Sequence, residues 1–210
     1  MARTTAPRIE VHPKNPEPRK IQQAVAALRE GKVIVYPTDT IYGLGADLEQ
    51  KRAIDQIYSL RQLDPKKPLS LICGSLSEAS RFAVIPDECF RTMKRLLPGP
   101  YTFILPATRA APKTGMQQRR TVGIRIPDHP VALALSAAMG LPMISASAML
   151  ETGEEATSDP TDLAEQYGHA VGLVLDAGIL FGTPSSVIDW TGSAPVILRR
   201  GAGDLSAFES

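Results

Sequence analysis

Nine consecutive residues, Pro37-Thr38-Asp39-Thr40-Ile41-Tyr42-Gly43-Leu44-Gly45, hold three hydroxyls, one carboxylate and two glycines. Such a set can hydrogen-bond a polar ligand from several sides, while the glycines free the backbone to bend towards it. The segment directly follows Lys32 to Tyr36, a β-branched run between Gly31 and Pro37. It therefore stands at a strand end, where α/β proteins commonly place their ligands. An Asp/Thr-rich turn bonded to its own backbone has the same composition, so partners elsewhere in the chain must decide between the two. Arg125 is the first such partner. In Thr121 to Ile126 the apolar Val122, Ile124 and Ile126 alternate with Thr121, Gly123 and Arg125, which puts the guanidinium opposite the apolar face. A planar, two-pronged donor there suits a carboxylate or phosphate, and a surface ion pair is the plainer role.

Several common chemistries are excluded. The chain has no GxxxxGK[ST], no GxSxG and no HExxH, and Gly43-Leu44-Gly45 lacks the third glycine of a dinucleotide fingerprint. A nucleotide would need another device. Cys73 and Cys89 form no CxxC pair, and His12, His129 and His169 are far apart, so neither structural zinc nor a disulfide framework is expected.

The elements that must position these groups follow from periodicity. Pro7, Pro13, Pro16 and Pro18 make the first residues an extended lead-in or a short edge strand. Ile21, Ala24, Val25 and Leu28 recur at helical spacing between Arg19 and Glu30, with Gly31 placed for a left-handed cap. Further helices are expected from Lys51 to Arg61, from Asp87 to Leu97 burying Phe90, Met93 and Leu97, and from His129 to Met139 with Asp128 as cap. Strands are expected at Lys32 to Tyr36, Pro68 to Cys73, Tyr101 to Leu105, Thr121 to Ile126, Met143 to Ser147, Val171 to Leu175, Ser186 to Trp190 and Val196 to Arg199. Glu151 to Asp162, rich in Glu, Thr, Gly and Ser, reads as a loop and a candidate lid. Roughly eight strands and about six helices in irregular order predict one α/β domain with a large mixed sheet.

At 210 residues, with 43% hydrophobic and 21% charged residues, the chain can form a single sizeable core. No apolar run reaches the roughly 18 residues of a membrane helix, and the N-terminus has no apolar signal core, which predicts a cytoplasmic protein without a membrane partner. Charge is divided along the chain. Residues 1–120 carry 20 Lys+Arg against 11 Asp+Glu, and residues 121–210 carry 3 against 11. A basic face that attracts nucleotide phosphates or RNA is the functional reading of that division, and a solvated surface is the plain one.

Six segments in order, PTDTIYGLG (37–45), PGPYTFIL (98–105), TVGIRIPDHP (121–130), SAS (145–147), PSSVID (184–189) and LRRGAGD (198–204), resemble the YrdC/YciO family, whose best-studied members make threonylcarbamoyl-AMP for modifying adenosine 37 of tRNA. The resemblance implies a YrdC-like domain over 11–204, with an N-terminal lead-in over 1–18 and a tail over 205–210. It implies a twisted open mixed sheet, a cationic cavity, the substrates ATP with Mg²⁺, L-threonine and bicarbonate, and affinity for tRNA or double-stranded RNA. Carried over by position, Thr38, Thr40, Tyr42, Arg125 and Ser185 would hold the amino acid, and Arg61, Lys67, Thr121, Ser147 and Arg199 the nucleotide. Arg200, next to Arg199, competes for its role. The chain also departs from the synthases at three places. Their Lys-x-Arg becomes Arg61-Gln62-Leu63, their Ser-x-Asn becomes Ser147-Ala148-Met149, and Ile72 replaces a substrate-binding histidine. These changes resemble the YciO-like branch and imply weaker or altered catalysis, or a non-catalytic RNA-binding module.

Overall fold

The computed structural model describes residues 5–112, 121–148 and 158–209. In chain order these form β1 (Arg8–Glu10), α1 (Pro18–Arg29), β2 (Ile34–Tyr36), β3 (Gly43–Asp47), α2 (Lys51–Arg61), β4 (Ser70–Ile72), α3 (Leu76–Phe82) and α4 (Asp87–Leu96). They continue with β5 (Tyr101–Pro106), β6 (Thr121–Arg125), α5 (Pro130–Met139), β7 (Met143–Ser147), α6 (Pro160–Tyr167), β8 (Leu173–Asp176), β9 (Ser186–Asp189) and β10 (Val196–Arg199). All ten strands join one mixed sheet in the order β1-β8-β2-β3-β7-β4-β6-β5-β9-β10.

Two neighbouring rows of paired residues explain the layering, because a shift of one residue moves every side chain to the other face. Ala46, Ile144, Leu71, Ile124, Phe103 and Ile188 are register partners from β3 across to β9, and each is at most 1% exposed. They face the larger core, which also takes Ile54 and Ile57 of α2, Phe82 of α3, Met93 of α4 and Leu163 of α6. One residue along, the partners are Gly45, Ser145, Ser70, Gly123 and Ile104. On that side α1 and α5 contribute Leu28, Val131 and Leu135 to a second core over Ile34, Tyr36 and Met143. The strands from β4 outward are left largely uncovered by helix.

Among the described residues the strands number ten rather than eight, and the two additions have separate causes. β1 is the short edge strand, pairing in parallel with β8. β3 corrects the reading of Gly43 to Gly45 as flexible turn: both glycines lie in a strand paired with β2. They are required by close packing, since a Cβ on Gly43 or Gly45 would stand 3.0 Å from the Tyr36 ring. Tyr36 lies across them, fully buried, and its hydroxyl shares a 2.7 Å hydrogen bond with Ser145 Oγ. Because Ser145 donates its own proton to Leu44 O at 3.0 Å, Tyr36 is the donor. Burial pushes its phenol up to about 12, so that proton stays in place.

Helix expectations hold for α1, α2 and α5 in position, and Gly31 and Gly140 have φ of +78° and +70° beyond α1 and α5. The cap of α5 is His129, whose Nδ1 accepts from Val131 N at 3.2 Å, instead of Asp128. In α4 the inward stripe is Cys89, Thr92 and Met93. Phe90, expected inside, lies one position off that stripe and is 40% exposed. Two helices went unread. α3 is announced by Ser75, whose side chain accepts from Glu78 N at 3.1 Å, and α6 by Asp159, which accepts from Thr161 N at 2.7 Å ahead of Pro160. The stretch read as a loop from 151 to 162 thus ends inside a helix, and its first part lies outside the described residues.

Replacing Gly43 by Ala should cost on the order of 1–3 kcal/mol, because its Cβ would overlap a ring that has nowhere to move. The midpoint of urea unfolding reads this, and an unchanged midpoint contradicts the packing described.

Candidate anion-binding site

A cavity of about 520 Å³ opens above the uncovered half of the sheet. Gly43, Ser145, Ser70 and Gly123 supply its floor, and their small side chains leave the space that larger ones would fill. The residues expected to hold an amino acid, Thr38, Tyr42, Arg125 and Ser185, line it. So do Arg61, Lys67, Ser147 and Arg199, expected to hold a nucleotide. Thr40 sits just behind the wall, 3% exposed. Thr121 does not join them: it opens β6, half-buried and paired with Pro106.

Arg125 reaches the hydroxyl-rich turn from the far side of the sheet. Its Nη2 donates to Thr38 Oγ1 at 3.0 Å, Asp39 Oδ1 at 2.6 Å and Thr40 Oγ1 at 2.7 Å. Thr38 spends its own proton on Ile41 O at 2.6 Å, so Thr40 donates to Thr38 across 3.1 Å. The turn is therefore neither loose nor merely self-satisfied; it cups a guanidinium. Tyr42 anchors the other end, donating to Gly178 O at 2.8 Å and accepting from Ala177 N at 3.0 Å.

Arg199 arrives by a different device. Its strand shifts register between Ile197 and Arg199, so that Arg199 stands opposite Val187, which lines the cavity. Without that bulge Arg199 would fall on the other face. Its Nε donates to Ser185 O at 3.0 Å and its Nη2 to Ser185 Oγ at 3.2 Å, while Ser185 Oγ also meets Thr102 Oγ1 at 2.9 Å. Just beyond, Gly201 must be glycine, since a Cβ would stand 2.1 Å from Pro184 O. Arg200 pairs with Glu209 and does not line the cavity, whereas Arg199 does.

Electrostatically the site is one-sided. Burial first, and then the charge of Arg125, hold Arg199 below the ordinary arginine range. Arg61 is 5% exposed and Lys67 stands at the rim. Among the described residues no Asp or Glu lines the cavity, and no group of three or more His, Cys, Asp or Glu could hold a metal. Four cations, one of them already paired with Asp39 behind the wall, stand over small polar and apolar lining residues and favour an anionic ligand.

Sequence reasoning named Thr38, Ser147 and Ser185 and passed over Ser70, Thr102, Gly123 and Ser145. Their signal was present: each sits on a strand position alternating with a buried apolar residue, the pattern applied only to the strand of Gly123 and Arg125.

The family model described as "Telomere recombination", of the Sua5/YciO/YrdC family, matches residues 26–201. The chain belongs to the Sua5/YciO/YrdC family. It is 43% identical over 199 residues to the uncharacterized protein YciO of Escherichia coli (strain K12), spanning 94% of this chain and 97% of the relative. To the threonylcarbamoyl-AMP synthase of Pyrococcus abyssi (strain GE5 / Orsay) it is 32% identical over 192 residues, which is 90% of this chain but 56% of the synthase. The crystal structure of E. coli YciO matches with a TM-score of 0.91 and 40% identity, covering 97% and 99% of the two chains. P. abyssi Sua5 complexed with L-threonine matches with a TM-score of 0.85 and 32% identity over 92% of this chain and 57% of that one.

Two of the three positions at which the resemblance implied a departure fall on the cavity wall. Leu63 and Ile72 both line it, beside Arg61 and below Arg125 in the register of β4 and β6. The wall next to the cations is therefore apolar at these two positions. Met149 lies outside the described residues. No helix among the described residues is long and apolar enough to cross a membrane.

His129, the cap of α5, gives the fold a pH signature. Burial lowers its pKa from the ordinary 6.5, against the opposing pull of Asp39 and Asp128. The folded protein then binds fewer protons than the unfolded chain, so this stability is present above the ordinary histidine range and is lost as pH falls through the folded value. Between pH 7 and 5 the melting temperature should drop more steeply for the native protein than for His129→Asn, which keeps a capping acceptor. Equal slopes would remove His129 from the account.

Proposed function

We propose that this protein forms an acyl adenylate of the threonylcarbamoyl-AMP type from ATP, L-threonine and bicarbonate, releasing pyrophosphate. The observation that carries the reading is the convergence of Arg61, Lys67, Arg125 and Arg199 on one cavity that no carboxylate lines. The reaction crowds a carboxylate, a carbamate and a triphosphate together, and fixed cations are what such crowding requires. The threonine amine captures carbon dioxide as a carbamate with loss of a proton. A carbamate oxygen then attacks the α-phosphorus, the bond to the β-phosphate oxygen breaks, and pyrophosphate leaves with that electron pair.

In this reading Arg125, held by Thr38 and Thr40, takes the amino-acid carboxylate together with Ser185, and Arg199 takes a phosphate oxygen near Ser147. Arg61 from within the wall and Lys67 from the rim offset the charge of the leaving pyrophosphate. Mg²⁺ enters as part of the substrate, bound to the phosphates of ATP. The apolar wall at Leu63 and Ile72 withdraws polar contacts that the synthases use, which supports slower turnover. RNA, the other expected partner, would meet the exposed Arg91, Lys94 and Arg95 along α4.

Purified protein given ATP, Mg²⁺, L-threonine and bicarbonate should release pyrophosphate in a threonine-dependent way and accumulate a threonylcarbamoyl adenylate visible by mass spectrometry. Arg125→Lys, which keeps the charge and loses the planar fork, should reduce kcat/KM for threonine at least tenfold. Release no faster than that of heat-denatured protein refutes the proposal.

A further inference from the structure

Asp39 does not line the cavity, yet its Oδ1 holds Arg125 at 2.6 Å. The two side chains are each 9% exposed, so the pair is buried behind the wall. Its geometry is unusual for a pair that serves only to cancel charge. A carboxylate neutralising a guanidinium gains most by engaging two nitrogens with two oxygens. Here Asp39 Oδ2 is buried with no partner, and so is Arg125 Nε. Three acceptors, from Thr38, Asp39 and Thr40, instead converge on Nη2, which carries two protons.

That arrangement pins Nη2 and, with Nε buried, fixes the plane in which the guanidinium lies. We infer that Asp39 is a positioning residue for Arg125: it aims the guanidinium so that the cavity recognises a planar carboxylate by shape, in addition to attracting anions by charge. The inference deepens the proposed function, resting on the reading of Arg125 as the carboxylate-binding group. It makes a distinction that charge alone cannot. A free arginine would still draw any anion, and removing the negative Asp39 would strengthen that pull. Shape selection, by contrast, depends on the orientation that Asp39 imposes.

Asp39→Asn has nearly the same shape and no charge, and calorimetric titration of it with two probes separates the terms. L-threonine affinity should fall at least tenfold, while inorganic pyrophosphate affinity stays within twofold or rises. Affinities that rise together, or that do not move, overturn the inference, since Asp39 would then be an opposing charge or a bystander. A readout independent of any substrate is the ¹⁵Nε–¹H signal of Arg125 in arginine-labelled protein, assigned by its loss in Arg125→Lys. It should be sharp in the native protein, broaden or shift in Asp39→Asn, and stay sharp in Asp39→Glu, with a melt of each variant reporting that it is folded. An Arg125 signal unmoved by Asp39→Asn overturns positioning. If that signal collapses while the native protein binds no threonine, positioning stands and the proposed substrate falls.

Discussion

Where five neighbouring strands pair, Gly45, Ser145, Ser70, Gly123 and Ile104 come into one row on one face of the sheet, and most of them are too small to meet anything above. A sheet face must be covered by something of matching bulk or be left as a hollow. α1 and α5 cover the side of β8, β2 and β7 and the end of β4, where Leu173, Ile34, Tyr36, Met143 and Ile72 rise to meet them. Further along, the same face offers Gly and Ser, and the space above them is the cavity. The opposite face has no such choice, because its row from Ala46 to Ile188 is apolar throughout and buried.

The cations then follow from strand geometry. Arg125 ends β6 on the hollow face, two residues from Gly123, and Arg199 reaches it through a bulge in β10. Each is met by oxygen acceptors from the segment opposite: the Thr38–Thr40 turn for one, Ser185 for the other. Partial desolvation first, and then the like charge of Arg125, hold Arg199 below its ordinary range, which is a cost to the folded state. The two apolar cores offset that cost, and a bound anion would remove it.

How much of this was legible beforehand can be judged residue by residue. Alternation placed Arg125 on the correct face, because period-two patterning is set by local backbone geometry. The same logic read helices α1, α2 and α5. It missed β3, because a strand made of Gly, Leu, Gly, Ala and Asp has poor intrinsic propensity and is held by pairing with β2 and β7 under the Tyr36 ring. It left Arg199 and Arg200 undecided, because a bulge is invisible to a strict period of two. It assigned Thr121 to the nucleotide, although that residue sits at the start of β6, four residues before Arg125 and beyond the cavity. Phe90 was misplaced by one position on α4, an angular error of about 100°.

The central claim is that this hollow holds polyvalent anions. Thermal melting at constant ionic strength, with pyrophosphate titrated against an equivalent of sodium chloride, tests it most directly. The account predicts a saturable rise in melting temperature with pyrophosphate and none with chloride, and loss of that rise when Arg199 and Arg61 are both replaced by Gln. A rise of equal size with either salt, or one that survives the double replacement, would contradict it.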